Sequence, residues 1–386
     1  MKHKPNNIKR SGLLLTVAVC ALLGSIHAHG GGIETATPED VGMSSERLER
    51  LSALNQRYIE QGKLAGIATM IARKGKVIYV DVIGSYGVNN PKELTRETLF
   101  RIFSMTKPIT AVGLMMLYEE GAFQLSDPVS KFLPNLAQPK VWTEEGLVTA
   151  KSEITMYHLL THTAGLSYGF SQDDPVDKLY RDASSEPAKD IDEFIDRVAS
   201  LPLISEPGER WHYSIASDVL GAVVEKITGT SFAEFLQRRV FDRLAMEDTF
   251  FSVPEGKLDR LAINHSWDYE SKSLKALSPE SPFNDYTDVT LYLGGQGLVS
   301  TLGDYMKFAE MLRNGGQLNG VRLLSPKTIE FMTKNHLHGM QGAKANGESP
   351  TLNLPAAVGG PGFGLGFGIF ASPVESGTLT SRGTYY

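Results

Sequence analysis

In Phe100-Arg101-Ile102-Phe103-Ser104-Met105-Thr106-Lys107-Pro108 a serine stands three residues before a lysine. Proline lacks an N–H and its ring crowds the preceding turn, so Pro108 is acceptable only where a helix is just beginning. Ser104 is therefore expected at a helix N-terminus, with Lys107 on the same face almost one turn later. Unpaired N–H groups and the positive end of the helix dipole favour negative charge there, including an alkoxide or the oxyanion of an acyl-transfer intermediate. A serine hydroxyl is too weak an acid to attack unaided. Lys107 can take its proton if burial and neighbouring positive charge lower its pKa from about 10.4 towards neutrality. The bare Ser-x-x-Lys pattern also arises by chance on exposed helices. The apolar flank Phe100 to Phe103 argues instead for a packed strand or turn feeding the helix.

Three other patterns invite chemistry and are weaker. Gly165-Leu166-Ser167-Tyr168-Gly169 matches the Gly-x-Ser-x-Gly nucleophile elbow, which needs a strand before it and a helix after it. Here Thr155 to Thr161 reads as helix and Gln172-Asp173-Asp174-Pro175 as an acidic turn, so Ser167 is not expected to be the nucleophile. His158 and His162 share a helical spacing, but the glutamate of His-Glu-x-x-His and a third ligand are missing, which favours packing or hydrogen bonding over zinc. The glycines from Gly359 to Gly368 alternate along an apparent strand and precede no helix, which fits tight backbone packing rather than a nucleotide loop.

The elements that must carry these residues are legible from periodicity. Ile67 to Ile71 and Val77 to Ile83 are β-rich runs around the turn Arg73-Lys74-Gly75-Lys76, a hairpin signature. Ile109–Tyr118, Ile154–Leu160, Val219–Ile227, Phe232–Val240 and Asp304–Leu312 carry apolar residues at helical spacing. Gly121, Gly229 and Asn314-Gly315-Gly316 supply stops. Strands at both ends with helices between predict one sheet assembled from the two chain termini.

Bulk properties narrow the class. The chain has 386 residues, 41% hydrophobic content and a formal net charge of −6, enough for one large domain or two modest ones and incompatible with a disordered protein. Lys2, Lys4, Lys9 and Arg10 precede an apolar run from Gly12 to Leu23, then small residues around Ser25 and Ala28. This predicts an export signal over residues 1–28, cleaved after Ala28. The run is shorter than the about 20 residues a membrane-spanning helix needs, and no later segment is long enough. Without the signal, 34 basic residues face 44 acidic ones, a net charge of −10. An acidic body argues against nucleic acid as a partner. Cys20 lies inside the apolar run, so the mature protein is expected to have no thiol chemistry and no disulfide.

The segment Leu99 to Thr110 (LFRIFSMTKPIT) resembles the nucleophile segment of class C β-lactamases, family VIII carboxylesterases and D,D-peptidases. Gly121 to Pro134 (GAFQLSDPVSKFLP), Ile154 to Gly165 (ITMYHLLTHTAG), Pro207 to Gly221 (PGERWHYSIASDVLG) and Gly295 to Leu312 (GQGLVSTLGDYMKFAEML) follow in the family's order. The likeness spans roughly residues 40 to 386. It implies a mixed α/β (α+β) fold, an antiparallel sheet flanked by helices and joined to a mainly helical region. This is a single domain over 29–386, with the sheet in about 40–100 and 290–386 and the helical region in about 101–289. It also implies that Ser104, Lys107 and Tyr213 are catalytic, with no metal and no organic cofactor. By spacing alone, Tyr213 beside Trp211 reads more readily as core. Its place in the family's Tyr-x-Asn motif makes it a proton relay, if a nearby ammonium lowers its pKa from about 10.

Two departures from the family matter. Ile215 stands where true class C β-lactamases have the asparagine that holds the substrate amide, so a simple ester becomes the expected substrate. The family's third motif should follow an aromatic strand like Gly383-Thr384-Tyr385-Tyr386, beyond the last residue of the sequence. That strand contributes an oxyanion N–H worth about 3 kcal/mol. The chain is thus expected to lack closing strands and a terminal helix, to fold poorly alone and to turn over poorly. The resulting expectation is a serine hydrolase of small-molecule esters, exported to the periplasm or beyond, with no signal of oligomeric state. A β-lactamase, a D,D-carboxypeptidase or penicillin-binding protein, and a non-catalytic binder on the same fold are the alternatives.

Overall fold

The computed structural model describes Met1 and residues 32–278, 286–337, 362–374 and 377–386. The expected export segment, with Cys20, and Gly359 and Gly360 lie outside the described residues. The described residues from 32 onwards belong to one compact unit.

A helix α1, Ser45–Glu60, starts where the Ser44 side chain accepts the Arg47 N–H, the arrangement that satisfies an orphan donor of a first turn. Strands β1 (Gly66–Arg73) and β2 (Lys76–Gly87) pair antiparallel with Arg73 opposite Lys76. Lys74 and Gly75 between them are both left-handed, at φ 53° and 81°, as a two-residue hairpin turn requires. β3 (Asn90–Glu93) adds to β2, so the sheet order is β1-β2-β3. Val41, Leu48 and Ile78 seal α1 against this sheet.

After the short strand β4 (Phe100–Arg101) comes α2, Thr106–Glu119, in which every residue from Thr106 to Leu117 is buried. A helix apolar on all sides is a core helix. Burying each of Ile109, Val112, Leu114 and Met115 stabilises the fold by about 1.5–3 kcal/mol. The helices α3 (Met156–Leu160), α4 (Pro175–Ala183), α5 (Ile191–Ser200) and α6 (Ala216–Thr228) follow, and α6 packs on α2. Gly229 ends α6 in the left-handed conformation, φ 69°. Phe232–Leu236 is helical as expected, but its last turn widens into a π-helix over Gln237–Phe241. The Leu302–Arg313 helix stops at Asn314-Gly315-Gly316, both glycines left-handed.

Among the described residues the three-stranded sheet comes from residues 66–93, β4 pairs antiparallel with Val299–Ser300, and the C-terminal segment has Phe363 paired with Gly368 and Ile369 with Tyr385. The Tyr386 N–H donates to the Gly368 carbonyl at 3.0 Å, so the terminal aromatic residues are paired within that segment. One expectation is corrected: the alternating glycines are not one straight strand. Gly366 turns left-handed at φ 84°, and a Cβ on it would lie 2.4 Å from the Ala111 Cβ of α2. One on Gly364 would meet the Met332 carbonyl at 2.1 Å. The backbone is pressed onto the helical core, with the Gly366 N–H on the Leu160 carbonyl at 2.9 Å.

Candidate active site

The chain must change from strand to helix within a few residues at Ser104. Phe100 and Arg101 pair with Ser300 and Val299, and the Ile102 N–H donates to the Leu298 carbonyl at 3.0 Å. Phe103 then takes a left-handed φ of 44°, a conformation that costs a residue with a Cβ roughly 1–2 kcal/mol. A 3₁₀ turn over Phe103–Met105 leads directly into α2. This reversal leaves Ser104 exposed while Lys107, one turn on, is 4% exposed. Tyr305 pins the turn by donating its hydroxyl to the Met105 carbonyl at 3.1 Å.

The Lys107 Nζ donates to the Ser104 Oγ at 3.2 Å and to the Gly295 carbonyl at 2.7 Å. It lies over the rings of Tyr213 and Tyr168, 4.6 and 5.0 Å from their centroids. Burial disfavours the ammonium and brings the lysine pKa down to about 8, opposed by the negative charge of Asp218. A fraction of the amine is therefore free at neutral pH, as a general base needs.

The Tyr213 ring lies 4.6 Å from the Lys107 Nζ that meets Ser104, so all three residues expected from the family come together. The Tyr213 pKa is the reverse of the expectation. Burial pushes it up to about 12, the Asp218 charge adds to the rise, and the nearby Ser104 hydroxyl opposes it. Tyr213 is a neutral phenol at physiological pH and is placed to donate a proton.

Further residues of the site lie within the quoted segments but were not singled out there for this role. Asp218, on the first turn of α6, accepts the Gly295 N–H at 2.8 Å and the Tyr168 hydroxyl at 2.9 Å. Burial raises its pKa, while Lys107, the Gly295 N–H and Tyr168 hold it down. Gly295 itself joins lysine to carboxylate. A Cβ there would fall 2.4 Å from the Tyr168 hydroxyl and 2.5 Å from the Asp218 carboxylate. Two threonines of α2 anchor the same loop: Thr110 donates to the Gly294 carbonyl at 2.7 Å, and Thr106 accepts the Leu298 N–H at 3.2 Å. The signals available were the Gly294-Gly295 pair and an acid five residues after Tyr213, neither specific without the fold.

Ser167 is fully buried and donates to Asp177, while its Oγ also meets the Gly169 N–H at 3.0 Å and the His212 Nε2 at 3.3 Å. In a catalytic triad the histidine stands between acid and serine. Here the serine stands between the other two, so the cluster ties the 167–172 loop to the strand-like segment bearing Tyr213. His158 caps α3, its Nδ1 accepting the Thr155 N–H at 3.2 Å, and the buried His162 accepts the Ser214 N–H at 3.2 Å. Each histidine has a hydrogen-bonding role of its own. Among the described residues no three His, Cys, Asp or Glu side chains gather as metal ligands.

Comparison with known proteins places the chain in a family. The Beta-lactamase family model matches residues 51–381. Protein Rv1367c of Mycobacterium tuberculosis is 33% identical over 329 residues, covering 84% of this chain and 79% of that protein. Esterase EstB of Burkholderia gladioli is 30% identical over 354 residues, 87% of this chain and 83% of its own. Among solved structures, EstCE1, a hydrolase with promiscuous acyltransferase activity, superposes with a TM-score of 0.71 at 27% identity, covering 87% of this chain and 86% of EstCE1. Unliganded simvastatin synthase LovD from Aspergillus terreus gives 0.69 at 25% identity, with 88% and 86% covered. A family match over most of the length, on a fold that sets a buried lysine beside an exposed serine, means that the chain belongs to the Beta-lactamase family and is a serine hydrolase.

Proposed function

We propose that this serine hydrolase cleaves carboxylic esters through an acyl-enzyme on Ser104, with Lys107 as base and Tyr213 as proton donor to the leaving alcohol. The observation that carries the reading is the 3.2 Å contact between a buried Nζ and an exposed Oγ. As Ser104 Oγ bonds to the acyl carbon, its proton passes to Lys107. The tetrahedral intermediate expels the alkoxide, which takes the Tyr213 proton. The phenolate, with a conjugate acid near 12 against about 8 for the lysine, regains a proton from Lys107 downhill. Water then attacks the acyl group with Lys107 again accepting the proton, and Lys107 returns that proton to Ser104 Oγ as the acyl–oxygen bond breaks and the acid is released.

Three features support an ester over an acylamino substrate. Ile215, the half-buried N-cap residue of α6, is apolar and cannot bond an amide. The rings of Tyr168, Phe170 and Tyr213 stack beside the nucleophile and offer an apolar wall. Relatives named as esterases are similar along most of the chain. The charged and then apolar N-terminal segment supports export to the periplasm or beyond.

The test is peptide mass spectrometry after treatment of the full-length protein with a fluorophosphonate, together with hydrolysis of p-nitrophenyl butyrate and of a chromogenic cephalosporin. The adduct is expected on Ser104 and absent in Ser104→Ala. Lys107→Ala and Tyr213→Phe should each slow acylation about 10²–10⁴-fold. An adduct elsewhere, or faster turnover of the cephalosporin than of the ester, overturns the reading.

A further inference from the structure

Lys107, Gly295, Asp218 and Tyr168 close a ring. Lys107 donates to the Gly295 carbonyl at 2.7 Å, and the N–H of the same residue donates to Asp218 Oδ1 at 2.8 Å. Asp218 Oδ2 accepts the Tyr168 hydroxyl at 2.9 Å, and the Tyr168 ring lies under the Lys107 Nζ. Gly295 has no room to spare: even a methyl group on it would overlap both Tyr168 and Asp218. A carboxylate 1% exposed is expensive to keep charged unless it is hydrogen-bonded and faces an opposite charge, and both conditions are met here. The bonds to Gly295 and Tyr168 occupy both of its oxygens, which fixes where the negative charge sits.

We propose that Asp218 is a positioning residue for acylation, the buried counter-ion that holds the Lys107 ammonium in place between Ser104 and Gly295. The proposal rests on the assignment of Ser104 and Lys107 given above. When the Ser104 proton moves onto Lys107, a cation forms inside the protein, and a fixed carboxylate on the other side of Gly295 stabilises that cation as it develops. Tyr168 and Tyr213 present rings and neutral hydroxyls to the same space, and His162, held neutral by burial and by the charge of Lys107, adds no competing cation. Asp218 is thus the negative group that faces the lysine.

The consequence is a change in the pH dependence of acylation and not only in its rate. Asp218 works against the effect of burial on Lys107. Removing its charge makes the amine a weaker base that loses its proton at lower pH. In Asp218→Asn, which keeps an oxygen for the Gly295 N–H, the midpoint of the fluorophosphonate labelling rate should move below 8 by roughly one pH unit. The high-pH plateau should fall on the order of tenfold. A carboxylate that merely supported the fold would lower the rate equally at every pH, so an unmoved midpoint overturns the proposal. Should Asp218→Asn fail to fold, the same question is put to the unsubstituted protein by ¹³C-NMR of its aspartate carboxyls. The Asp218 signal is expected to inflect at the midpoint of Lys107, and a flat signal through that range overturns the proposal. Absence of any Ser104 adduct in the unsubstituted protein would instead remove the active-site assignment itself. An adduct with an unmoved Asp218→Asn midpoint removes the role of Asp218 alone.

Discussion

A hydroxyl becomes a nucleophile only when something nearby accepts its proton, and at Ser104 the strength of that acceptor is set by burial. The lysine pKa is depressed to about 8, so below that pH the group is mostly ammonium and cannot act as base, and above it the amine is free. Fluorophosphonate labelling should therefore rise with pH through about 8, and no second rise is expected below about 12, where Tyr213 titrates. Stopped labelling experiments across pH 6 to 10 would check this; a flat profile would remove Lys107 as the base. Ser167→Ala should keep the Ser104 adduct but leave the Asp177 carboxylate and His212 without their shared partner. A loss of about 1–3 kcal/mol in denaturant unfolding is expected, and a lost adduct would make Ser167 the nucleophile after all. Ser104 and Lys107 were legible because three residues on a helix are a local spacing. Tyr213 needed its family motif. Asp218 and Tyr168 were not legible, because their partners come from segments up to 77 positions away, and no local pattern encodes such a contact.

Periodicity located the elements well wherever the chain repeats a pattern. The β1–β2 hairpin follows its alternating apolar residues and its Lys74-Gly75 turn, and α2 and α6 follow their helical spacing and glycine stops. It failed at residues 362–370, where alternating glycines imitate a strand. The glycines are there because the backbone turns and touches α2 and Met332, a demand that comes from the neighbours and not from the segment. The same logic applies to the loop that receives Lys107. Gly295→Ala would put a methyl group within 2.5 Å of Tyr168 and Asp218, closer than any real contact, and one side of the ring must yield. Labelling of Ser104 should fall more than tenfold, because a displacement of about 1 Å in such a site costs rates of that order. Gly303→Ala, with open space at its Cβ position, is the control, expected to label normally. Equal labelling of the two variants would mean that the Gly295 loop does not set the lysine geometry.

At the scale of the molecule, the fold class follows from the family motifs and the helical core, while the path of the C-terminal residues is not readable from the order of elements. Where the C-terminal residues go is decided by contacts with Leu160, Met332 and Ala111, each at least 30 positions from residues 362–370. The site has the same long-range character. The bonds from Lys107 to Gly295, Thr110 to Gly294 and Leu298 to Thr106 join positions 188, 184 and 192 apart. Closing a loop of that size is entropically unfavourable and must be offset by everything packed inside it. Reactivity at Ser104 is consequently a reporter of topology: a chain with its helices formed but that loop still open has the serine and the lysine, yet no carbonyl to hold the amine. In a urea series, probe labelling should disappear at or before the loss of near-ultraviolet circular dichroism, and labelling that outlasts it would mean that the reactive pair assembles locally. A covalent probe of one hydroxyl can thus serve as a gauge of whether the two distant halves of the polypeptide have found each other, usable in a crude lysate where no spectroscopic signal of folding can be read.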